Sequence, residues 1–340
     1  MSIIEIENLE KTFKVLNRHE GLKGAVKDLF SHDYKYIKAV DKISMKINAG
    51  EIVGYLGPNG AGKSTTIKMM TGVLDPTSGH IKVNGNIPYK NRRINAQNIG
   101  VVFGQRTQLW WSLPVIESFK ILKMIYQIND KTYKDNLELF DSLVKVSSLY
   151  SKPVRQMSLG QRTLCDILAA FLHDPKVIFL DEPTIGLDVS IKSKIRMLIK
   201  ELNARKNTTV ILTTHDMGDV EALCQRAVII DKGKIIFDDQ FESLKSMFGS
   251  YRTLKVSVDD MSEKNINDTI RIIESAFNQT KALTVNRSED WIEIIVDQDK
   301  TALTDVLSFV INNIHVSDVK IEEVEAESII RKIYEGGRTV

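Results

Sequence analysis

The segment from Gly57 to Ser64 constrains the fold of this 340-residue chain more than any other part of it. It reads GPNGAGKS, and it connects an apolar stretch, Ile52–Leu56, to a helical pattern that begins at Thr65. A loop of the form GxxxxGKS/T between a strand and a helix is typical of phosphate-binding sites. Its glycines let several backbone N–H groups point at one anion, and the positive end of the following helix adds to that field. The sequence therefore predicts an α/β fold that binds phosphate.

Two side chains of this loop have separate roles in such a site. Lys63 is expected to neutralise the outer phosphates, and the hydroxyl of Ser64 is expected to bind Mg²⁺. The expected phosphate contacts are Gly57, Pro58, Asn59, Gly60, Ala61, Gly62, Lys63, Ser64 and Thr65.

A second apolar strand ends in two adjacent carboxylates. Residues 177–180 read VIFL and are followed by Asp181 and Glu182. If this strand lies near the loop in a parallel sheet, both carboxylates reach the sheet edge where the phosphates bind. Asp181 is then placed to hold Mg²⁺, and Glu182 is free to activate an attacking water as a general base.

Strand and helix patterns alternate over the first 245 residues. Further apolar strands are predicted at 98–103, 209–213 and 227–230, with helical patterns between them. Such alternation predicts a mostly parallel sheet with helices on both faces. The stretch 110–157 has helical periodicity throughout, which predicts a helical subdomain at about 106–160 inserted between two strands.

An insertion is predicted between two N-terminal strands at 2–7 and 39–47. It covers residues 16–38, and within it apolar residues from Leu22 to Phe30 repeat at helical spacing. The stretch from Lys11 to Lys46 contains nine basic and four acidic residues. It is either an ordinary solvated face or a surface for anionic lipid or a membrane subunit.

The pattern changes after Gly249. Strand, helix, strand, strand, helix, strand and helix follow in that order, which is typical of a small ferredoxin-like α+β module. Residues 251–340 carry 11 basic and 17 acidic side chains, although the formal net charge of the whole chain is +2. We therefore predict two domains, residues 1–245 and 251–340, and the acidic second domain argues against nucleic-acid binding there.

Four more sequence elements accompany the loop and the Asp181-Glu182 strand in a fixed order. Gln105 follows a predicted strand, residues 157–162 read MSLGQR, residues 185–188 read IGLD, and residues 213–216 read TTHD. They resemble the Q-loop, signature, D-loop and switch histidine of ATP-binding cassette (ABC) proteins. The resemblance covers residues 1 to about 245 and implies a P-loop ABC cassette.

This resemblance also implies ligands and roles. The cassette binds ATP and Mg²⁺, with Ser64, Gln105 and Asp181 around the metal, and hydrolysis depends on Glu182 and His215. In the family, two cassettes enclose two ATP molecules, so the signature of one protomer covers the ATP held by the other. The implied contacts across this dimer, which is a homodimer or a heterodimer, are Ser158, Leu159, Gly160 and Gln161, with Asp188 in the D-loop.

Phe13 occupies the position where the family stacks an aromatic ring on adenine. Because the insertion at 16–38 lies close by, Tyr34 or Tyr36 is an alternative for this role.

Leu159 departs from the family pattern, because a glycine is usual at this position of the signature. If the position needs a positive φ, leucine adds about 1 kcal/mol or more of strain, whereas a helical φ tolerates it. The serine, the second glycine and the glutamine of the pattern are present.

Two adjacent tryptophans, Trp110 and Trp111, follow Gln105 closely. Both cannot face inward on one side of a helix, so at least one is expected at the surface. In the family this region receives the coupling helices of the membrane subunit. The alternative is that both rings belong to the core of the helical subdomain.

The function predicted from these features is that of an ATP-hydrolysing subunit of a transporter, which powers a separate ABC-2-type permease. The longest uninterrupted apolar run has six residues, 167–172, so membrane association is expected through the permease, at the cytoplasmic face. A soluble ABC ATPase acting on nucleic acid or ribosomes is the alternative, but the chain has one cassette and no sustained heptads. The form of the signature and the insertion resemble ABC-2-type exporters, which favours export.

Overall fold

The structure is a computed structural model, and it describes residues 1–17, 34–104, 106–214, 216–246, 251–258, 263–277, 282–288 and 291–323. Contacts within the chain divide it into two compact units, Met1–Phe241 and Glu242–Val340. The boundary lies a few residues before the one predicted from the sequence.

The first unit alternates strands with helices. Its strands are β1 (Ser2–Leu16), β2 (Tyr34–Asn48), β3 (Ile52–Leu56), β4 (Ser78–Val83), β5 (Ile99–Phe103), β6 (Val177–Asp181), β7 (Thr209–Thr213), β8 (Arg226–Asp231) and β9 (Lys234–Gln240). Its helices are α1 (Lys63–Met70), α2 (Arg92–Asn98), α3 (Val115–Ile125), α4 (Asp130–Val144), α5 (Leu159–Phe171), α6 (Val189–Lys206) and α7 (Met217–Leu223), and α8 (Phe241–Ser246) spans the boundary.

Six of the described strands form the main sheet, in the order β5-β6-β7-β3-β8-β9. The strands β5, β6, β7, β3 and β8 run parallel, and β9 pairs with β8 in the antiparallel direction. All residues of β3 and β7 are buried, which is the pattern expected when helices cover both faces of a parallel sheet. The predicted mostly parallel sheet is confirmed, and β3 and β6 both end at its carboxyl edge.

Strands β1, β2 and β4 form a second, antiparallel sheet in the order β2-β1-β4. The pairing of β1 with β2 continues to Leu16 opposite Tyr34. The insertion predicted at 16–38 is therefore too long, because paired strand residues occupy both of its ends. The predicted amphipathic helix near Leu22 lies outside the described residues.

The inserted helical segment lies between β5 and β6. It contains α3 and α4, and α4 buries Tyr133, Phe140 and Val144 on one face. Helix α5 follows and runs back to β6, with Leu164 and Phe171 among its buried residues. None of the described helices combines the length and the apolar character needed to span a membrane.

The second unit has the ferredoxin-like order predicted from its sequence. Its described elements are β10 (Tyr251–Val258), α9 (Glu263–Phe277), β11 (Leu283–Arg287), β12 (Ile292–Asp297), α10 (Leu303–Asn313) and β13 (Val316–Glu323). The sheet order is β11-β12-β10-β13 with every neighbouring pair antiparallel. The core of this unit includes Leu254, Ile294 and Val306. The helix predicted at 325–334 lies outside the described residues.

Candidate nucleotide-binding site

The backbone of the phosphate-binding loop is shaped by its glycines. Gly62 has φ +112°, and a Cβ there would lie 2.3 Å from the carbonyl oxygen of Ala39. A Cβ on Gly57 would lie 2.3 Å from the carbonyl oxygen of Ile230. No side chain fits at either position, so the loop can pass close to β2 and β8 only with glycine.

Lys63 is the first residue of α1, and its side chain turns back over the loop. Its Nζ atom donates to the carbonyl oxygens of Gly57 and Pro58, the latter at 3.1 Å. Burial lowers the pKa of Lys63, and the carboxylates of Glu182 and Asp181 oppose that effect. The ammonium group is therefore held beside the loop in a partly desolvated place, where its attraction for an anion is stronger than in water.

Asp181 and Glu182 are positioned by the neighbouring strand β7. Asp181 lies opposite Thr213 in the parallel register, and the hydroxyl of Thr213 donates to Oδ1 of Asp181. The backbone N–H of Glu182 donates to the carbonyl oxygen of Thr213 at 2.9 Å. Glu182 has φ +53°, an uncommon conformation for this residue type, which turns the chain sharply at the end of β6.

A cavity of about 310 Å³ brings the loop and the two carboxylates together. Its lining residues are Ala39, Pro58, Asn59, Gly60, Gly62, Lys63, Ser64, Thr65, Asp181 and Glu182. Hydroxyl and carboxylate oxygens are the ligands that Mg²⁺ prefers, so Ser64 and Asp181 fit a magnesium ion held together with phosphate. The cavity joins seven of the nine predicted loop residues to both predicted carboxylates, and Gly57 and Ala61 are not among its lining residues.

The signature segment begins α5. The side chain of Ser158 accepts from the backbone N–H of Gln161 at 3.2 Å, and the Gln161 side chain accepts from the Ser158 N–H in return. This capping box leaves Ser158 exposed at the positive end of the helix, where an anion is favoured. The lining of the cavity on the same chain includes none of the described residues 158–161.

Leu159 is the first helical residue of α5, and its φ is not in the left-handed region. Of the two alternatives derived from the sequence, the helical one therefore holds, and leucine adds no backbone strain. Gly160 is more constrained, because a Cβ there would lie 2.8 Å from a methyl carbon of Ile191.

The D-loop leads directly into α6. Asp188 caps this helix by accepting from the backbone N–H of Ile191 at 3.0 Å. Gly186 has φ +73°, and a Cβ there would lie 3.5 Å from the Leu159 side chain. The D-loop and the signature helix are thus neighbours in this unit.

Three predicted residues have no described place in the site. Gln105 and His215 lie outside the described residues, so their roles stay predictions. Phe13 lies in β1 with 36% of its surface exposed, opposite Ile37 of β2, and Lys11 Nζ is 5.4 Å from its ring centre. Tyr36 is more exposed, at 65%. An exposed aromatic ring is available for stacking at either position, and the adenine contact stays a prediction.

Both tryptophans are at the surface, with Trp110 39% and Trp111 51% exposed. The guanidinium of Arg162, just after the signature, lies 5.3 Å from the Trp111 ring centre. The structure therefore rules out the alternative that both rings belong to the subdomain core.

Sequence reasoning missed two residues that position the site, Thr213 and Asp166. The sequence marks Thr213 only as the end of a strand, and its contact with Asp181 depends on β6 and β7 being neighbours.

Asp166 is 5% exposed in α5, and it accepts from the Thr107 hydroxyl at 2.9 Å and from the Gln108 N–H at 3.0 Å. It ties the segment after Gln105 to the signature helix. The sequence signal that could have identified Asp166 is a single acidic residue within the apolar stretch of α5.

Comparison with known proteins identifies the family. The profile of the ABC transporter family matches residues 40–185. The ABC transporter ATP-binding protein NatA of Bacillus subtilis (strain 168) is 34% identical over 63% of this chain and 87% of its own length. The chain belongs to the ABC transporter family. It is an ABC ATP-binding subunit, and its first unit is an ATPase cassette.

Other ABC relatives are named for resistance or transport. The linearmycin resistance ATP-binding protein LnrL of Bacillus subtilis (strain 168) is 30% identical over 88% of this chain and 94% of its own. The bacitracin transport ATP-binding protein BcrA of Bacillus licheniformis is 33% identical over 65% of this chain and 71% of its own. The match with LnrL spans 302 residues, so it extends beyond the cassette into the second unit.

Solved ABC cassettes have the same fold. A dimeric cassette in a post-hydrolysis state with ADP and Pi superposes with a TM-score of 0.56 at 23% identity, over 70% of this chain and 98% of that one. The protein CbiO1 of Clostridium perfringens, part of an ABC transporter complex, gives 0.59 at 25% identity, over 82% and 96%.

The buried carboxyl of Asp166 predicts a measurable pH effect on the ABC cassette. Burial raises its pKa from 3.8 to about 6, against the opposing hydrogen bonds from Thr107 and Gln108. Between pH 6 and pH 4, Asp166 is therefore protonated in the folded state and ionised in the unfolded state. At pH 7 the ionisation of the buried carboxyl lowers the free energy of unfolding, and this loss is relieved as the pH falls. Asp166→Asn keeps an acceptor oxygen and cannot ionise. We expect the free energy of unfolding of wild type, relative to Asp166→Asn, to rise by about 1–2 kcal/mol from pH 7 to pH 4.5.

Urea unfolding of both chains at the two pH values measures this difference. Asp135→Asn, an exposed position on α4, is the matched control and should show no such change. A constant difference between wild type and Asp166→Asn would contradict the raised pKa.

Proposed function

We propose that this chain hydrolyses ATP to power a separate ABC-2-type permease, in the direction of export. One observation carries the hydrolytic part of this proposal. A single cavity is lined by Lys63 and Ser64 of the loop and by Asp181 and Glu182 at the end of β6. These are the groups needed to hold a triphosphate, to bind Mg²⁺ and to activate a water molecule.

The loop holds the phosphates of ATP, since Lys63 and its neighbours in the loop line the cavity and a loop of this form before a helix favours an anion. Ser64 and Asp181, together with Gln105 from the Q-loop, would hold Mg²⁺ with further ligands from the phosphates. When bound, this ion neutralises the charge that develops on the phosphate oxygens.

Glu182 accepts the proton of the attacking water. Its backbone is fixed by Thr213, so its carboxylate stays near the edge of the phosphate cavity. His215, two residues after Thr213, contacts the γ-phosphate and helps to hold the water. The water oxygen forms a bond to the γ-phosphorus as the bond to the β–γ bridging oxygen breaks, so that ADP stays on the loop, inorganic phosphate leaves, and Glu182 returns its proton to the products or to solvent.

Two cassettes complete each site. Ser158 lies exposed at the start of α5, and residues 158–161 do not line the cavity of their own chain among the described residues. A second cassette packed head to tail therefore supplies its signature helix to the phosphates, with Asp188 of the D-loop nearby. The dimeric arrangement of a related cassette supports this geometry.

Trp110 and Trp111 form the coupling surface toward the permease. The exposed rings follow the Q-loop, and Arg162 connects Trp111 to the signature helix. Movement of the permease can therefore reach the signature through a short chain of contacts. This coupling holds the subunit at the cytoplasmic face of the membrane.

The names of the relatives favour transport and export over the soluble alternative. NatA is named as a transporter ATP-binding protein, LnrL for linearmycin resistance and BcrA for bacitracin transport. Resistance to an antibiotic is the outcome expected of an exporter. Action on nucleic acid or ribosomes has no comparable support from these relatives.

Replacing both surface tryptophans should separate the chain from its permease. We expect Trp110→Ser/Trp111→Ser to lose most co-purification with a membrane protein in mild detergent, because buried aromatic residues dominate protein interfaces. Quantitative mass spectrometry after affinity purification from the native cells measures the loss. Ile311→Ser, which removes a side chain 57% exposed on α10 of the second unit, is the control and should retain the partner. Equal recovery of the membrane partner with both variants would contradict the assigned surface.

A further inference from the structure

A polar cluster with a buried centre and a partly exposed rim lies beside the proposed catalytic residues in the chain, and we call it the switch network. It joins the D-loop, helix α6 and the chain on both sides of His215. Its members are Thr184, Lys192, Arg196, Thr214, Asp216 and Asp219.

Asp219, in α7, is the centre of the network. It is completely buried. Its Oδ2 atom accepts from the hydroxyls of Thr184 and Thr214, the latter at 2.9 Å, and its Oδ1 atom accepts from Nε of Arg196 at 2.6 Å. The carboxylate therefore holds three segments of the cassette at one point.

Arg196 extends the network to Asp216, which caps α7. Its Nη2 atom lies 3.3 Å from Oδ1 of Asp216, and Lys192 donates to the other oxygen. Gly218 leaves room for this arrangement, because a Cβ there would lie 3.1 Å from Arg196 Nη2. Two cations of α6 thus fix the residue that directly follows His215.

The members of the network are adjacent to functional positions along the chain. Thr184 lies between Glu182 and the D-loop, and Asp188 of the D-loop caps α6. Thr214 and Asp216 flank His215. A buried ion pair is a poor means of stabilising a fold, because an apolar cluster of the same volume often does as well. Hydrogen-bonded charges in a low dielectric are suited to fixing orientation.

We propose that Asp219 and Arg196 are positioning residues for ATP hydrolysis. Asp219 accepts from the hydroxyl of Thr184, just before the D-loop, and from that of Thr214, just before His215. The position of the D-loop is therefore coupled to the position of residues 213–216, which we call the switch segment. When a second cassette moves the D-loop, the switch segment moves with it. This inference rests on the proposed function, in which Glu182 and His215 act on the γ-phosphate.

The test uses isosteric threonine variants, because removing Asp219 or Arg196 would leave a buried charge without its partner and endanger folding. Thr184→Val removes the D-loop contact. Thr214→Val removes the switch contact together with the hydrogen bond that the Thr214 hydroxyl accepts from the Asp216 N–H at 2.9 Å. Thr208→Val is the matched control. Thr208 is equally buried and donates to the Pro175 carbonyl at 3.0 Å, at the opposite end of the sheet.

Steady-state hydrolysis of MgATP by the full chain should show a split between kcat and KM. We expect Thr184→Val to lower kcat about tenfold with KM and ATP affinity near wild type, because a small misplacement of catalytic groups mainly affects the chemical step. Thr184→Ser, which keeps the hydroxyl, should restore kcat. In Thr184→Val/Thr214→Val the combined loss should be smaller than the product of the single losses, because both contacts end on one carboxylate.

Thr208→Val should lose thermal stability like Thr184→Val but keep the wild-type kcat. If Thr184→Val and Thr208→Val have the same kcat, the switch network is only structural and the inference is wrong. If instead Glu182→Gln hydrolyses ATP as fast as wild type, the proposed function fails, which is a separate result from the threonine comparison.

Discussion

Glu182→Gln is expected to hydrolyse ATP at least about 100-fold more slowly than wild type while it binds MgATP with unchanged affinity. Glutamine has the same shape as glutamate but cannot accept the proton of the attacking water. The backbone contact of residue 182 with Thr213 remains, so the cavity keeps its form. Phosphate release at saturating MgATP measures the rate, and equilibrium binding of a fluorescent ATP analogue measures the affinity.

The same variant should accumulate as an ATP-bound dimer, because hydrolysis normally reopens the two cassettes. Light scattering should show a doubling of the mass in MgATP and not in MgADP. Glu201→Gln, a half-buried position on α6 that pairs with Arg205, is the control and should behave as wild type. A Glu182→Gln chain that turns over at the normal rate would remove Glu182 from its role as general base.

Lys63→Ala is expected to lower ATP affinity about 100-fold or more, because charge-assisted bonds to phosphate are among the strongest contacts in such a site. Lys63 is the cation held nearest the loop carbonyls of Gly57 and Pro58. Alanine is a good helix former, so α1 should remain folded. Isothermal titration with MgATP measures the change.

Lys68→Ala removes an exposed cation from the last turn of the same helix and should bind ATP as wild type does. Both variants lose one positive charge, so a difference in ATP affinity between them depends on the position of the charge and not on the net charge of the protein. Unchanged ATP affinity in Lys63→Ala would contradict the assignment of the loop.

The elements of the site could be predicted from the sequence because each of them depends on residues that are neighbours in the chain. Gly57 to Ser64 needs only its own glycines and the next helix to form a cradle, and Asp181 and Glu182 end a strand whose apolar residues are contiguous. The alternation of strands and helices also sufficed for the parallel sheet, and the order of elements after Gly249 sufficed for the ferredoxin-like unit.

Contacts between distant segments were not accessible from the sequence. Thr213 supports Asp181 only because β7 lies beside β6, and no local pattern specifies strand order. Asp219 resembles an ordinary helix acid until Thr184 and Arg196 are seen to converge on it. The edge strands β4 and β9 are not evident in the sequence either, because β4 is mostly polar and β9 has no buried residue.

Strand length was also misjudged in the β1–β2 hairpin. The paired stretch from Thr12 opposite Lys38 to Leu16 opposite Tyr34 is largely exposed. Its residues alternate between polar and apolar, but the stretch lies beyond the buried part of the sheet, so no core-facing pattern specifies where the strands end. The sequence does not specify the backbone conformation of Leu159, which stands where the family usually has glycine. Only the structure shows that this residue is helical.

The central claim is that each ATP is hydrolysed in a site shared by two copies of this chain. Its most direct test mixes two inactive variants, Lys63→Ala and Ser158→Asp. Aspartate preserves the helix cap at position 158 but repels the phosphate, so this chain keeps its loop and loses its signature. A mixed dimer then contains one intact site, formed by the loop of one chain and the signature of the other.

We predict that each variant alone hydrolyses ATP at background rate and that an equal mixture recovers about a quarter of the wild-type rate, since half of the dimers carry one intact site. No recovery at any mixing ratio, with both variants folded, would contradict a site shared between two copies of this chain.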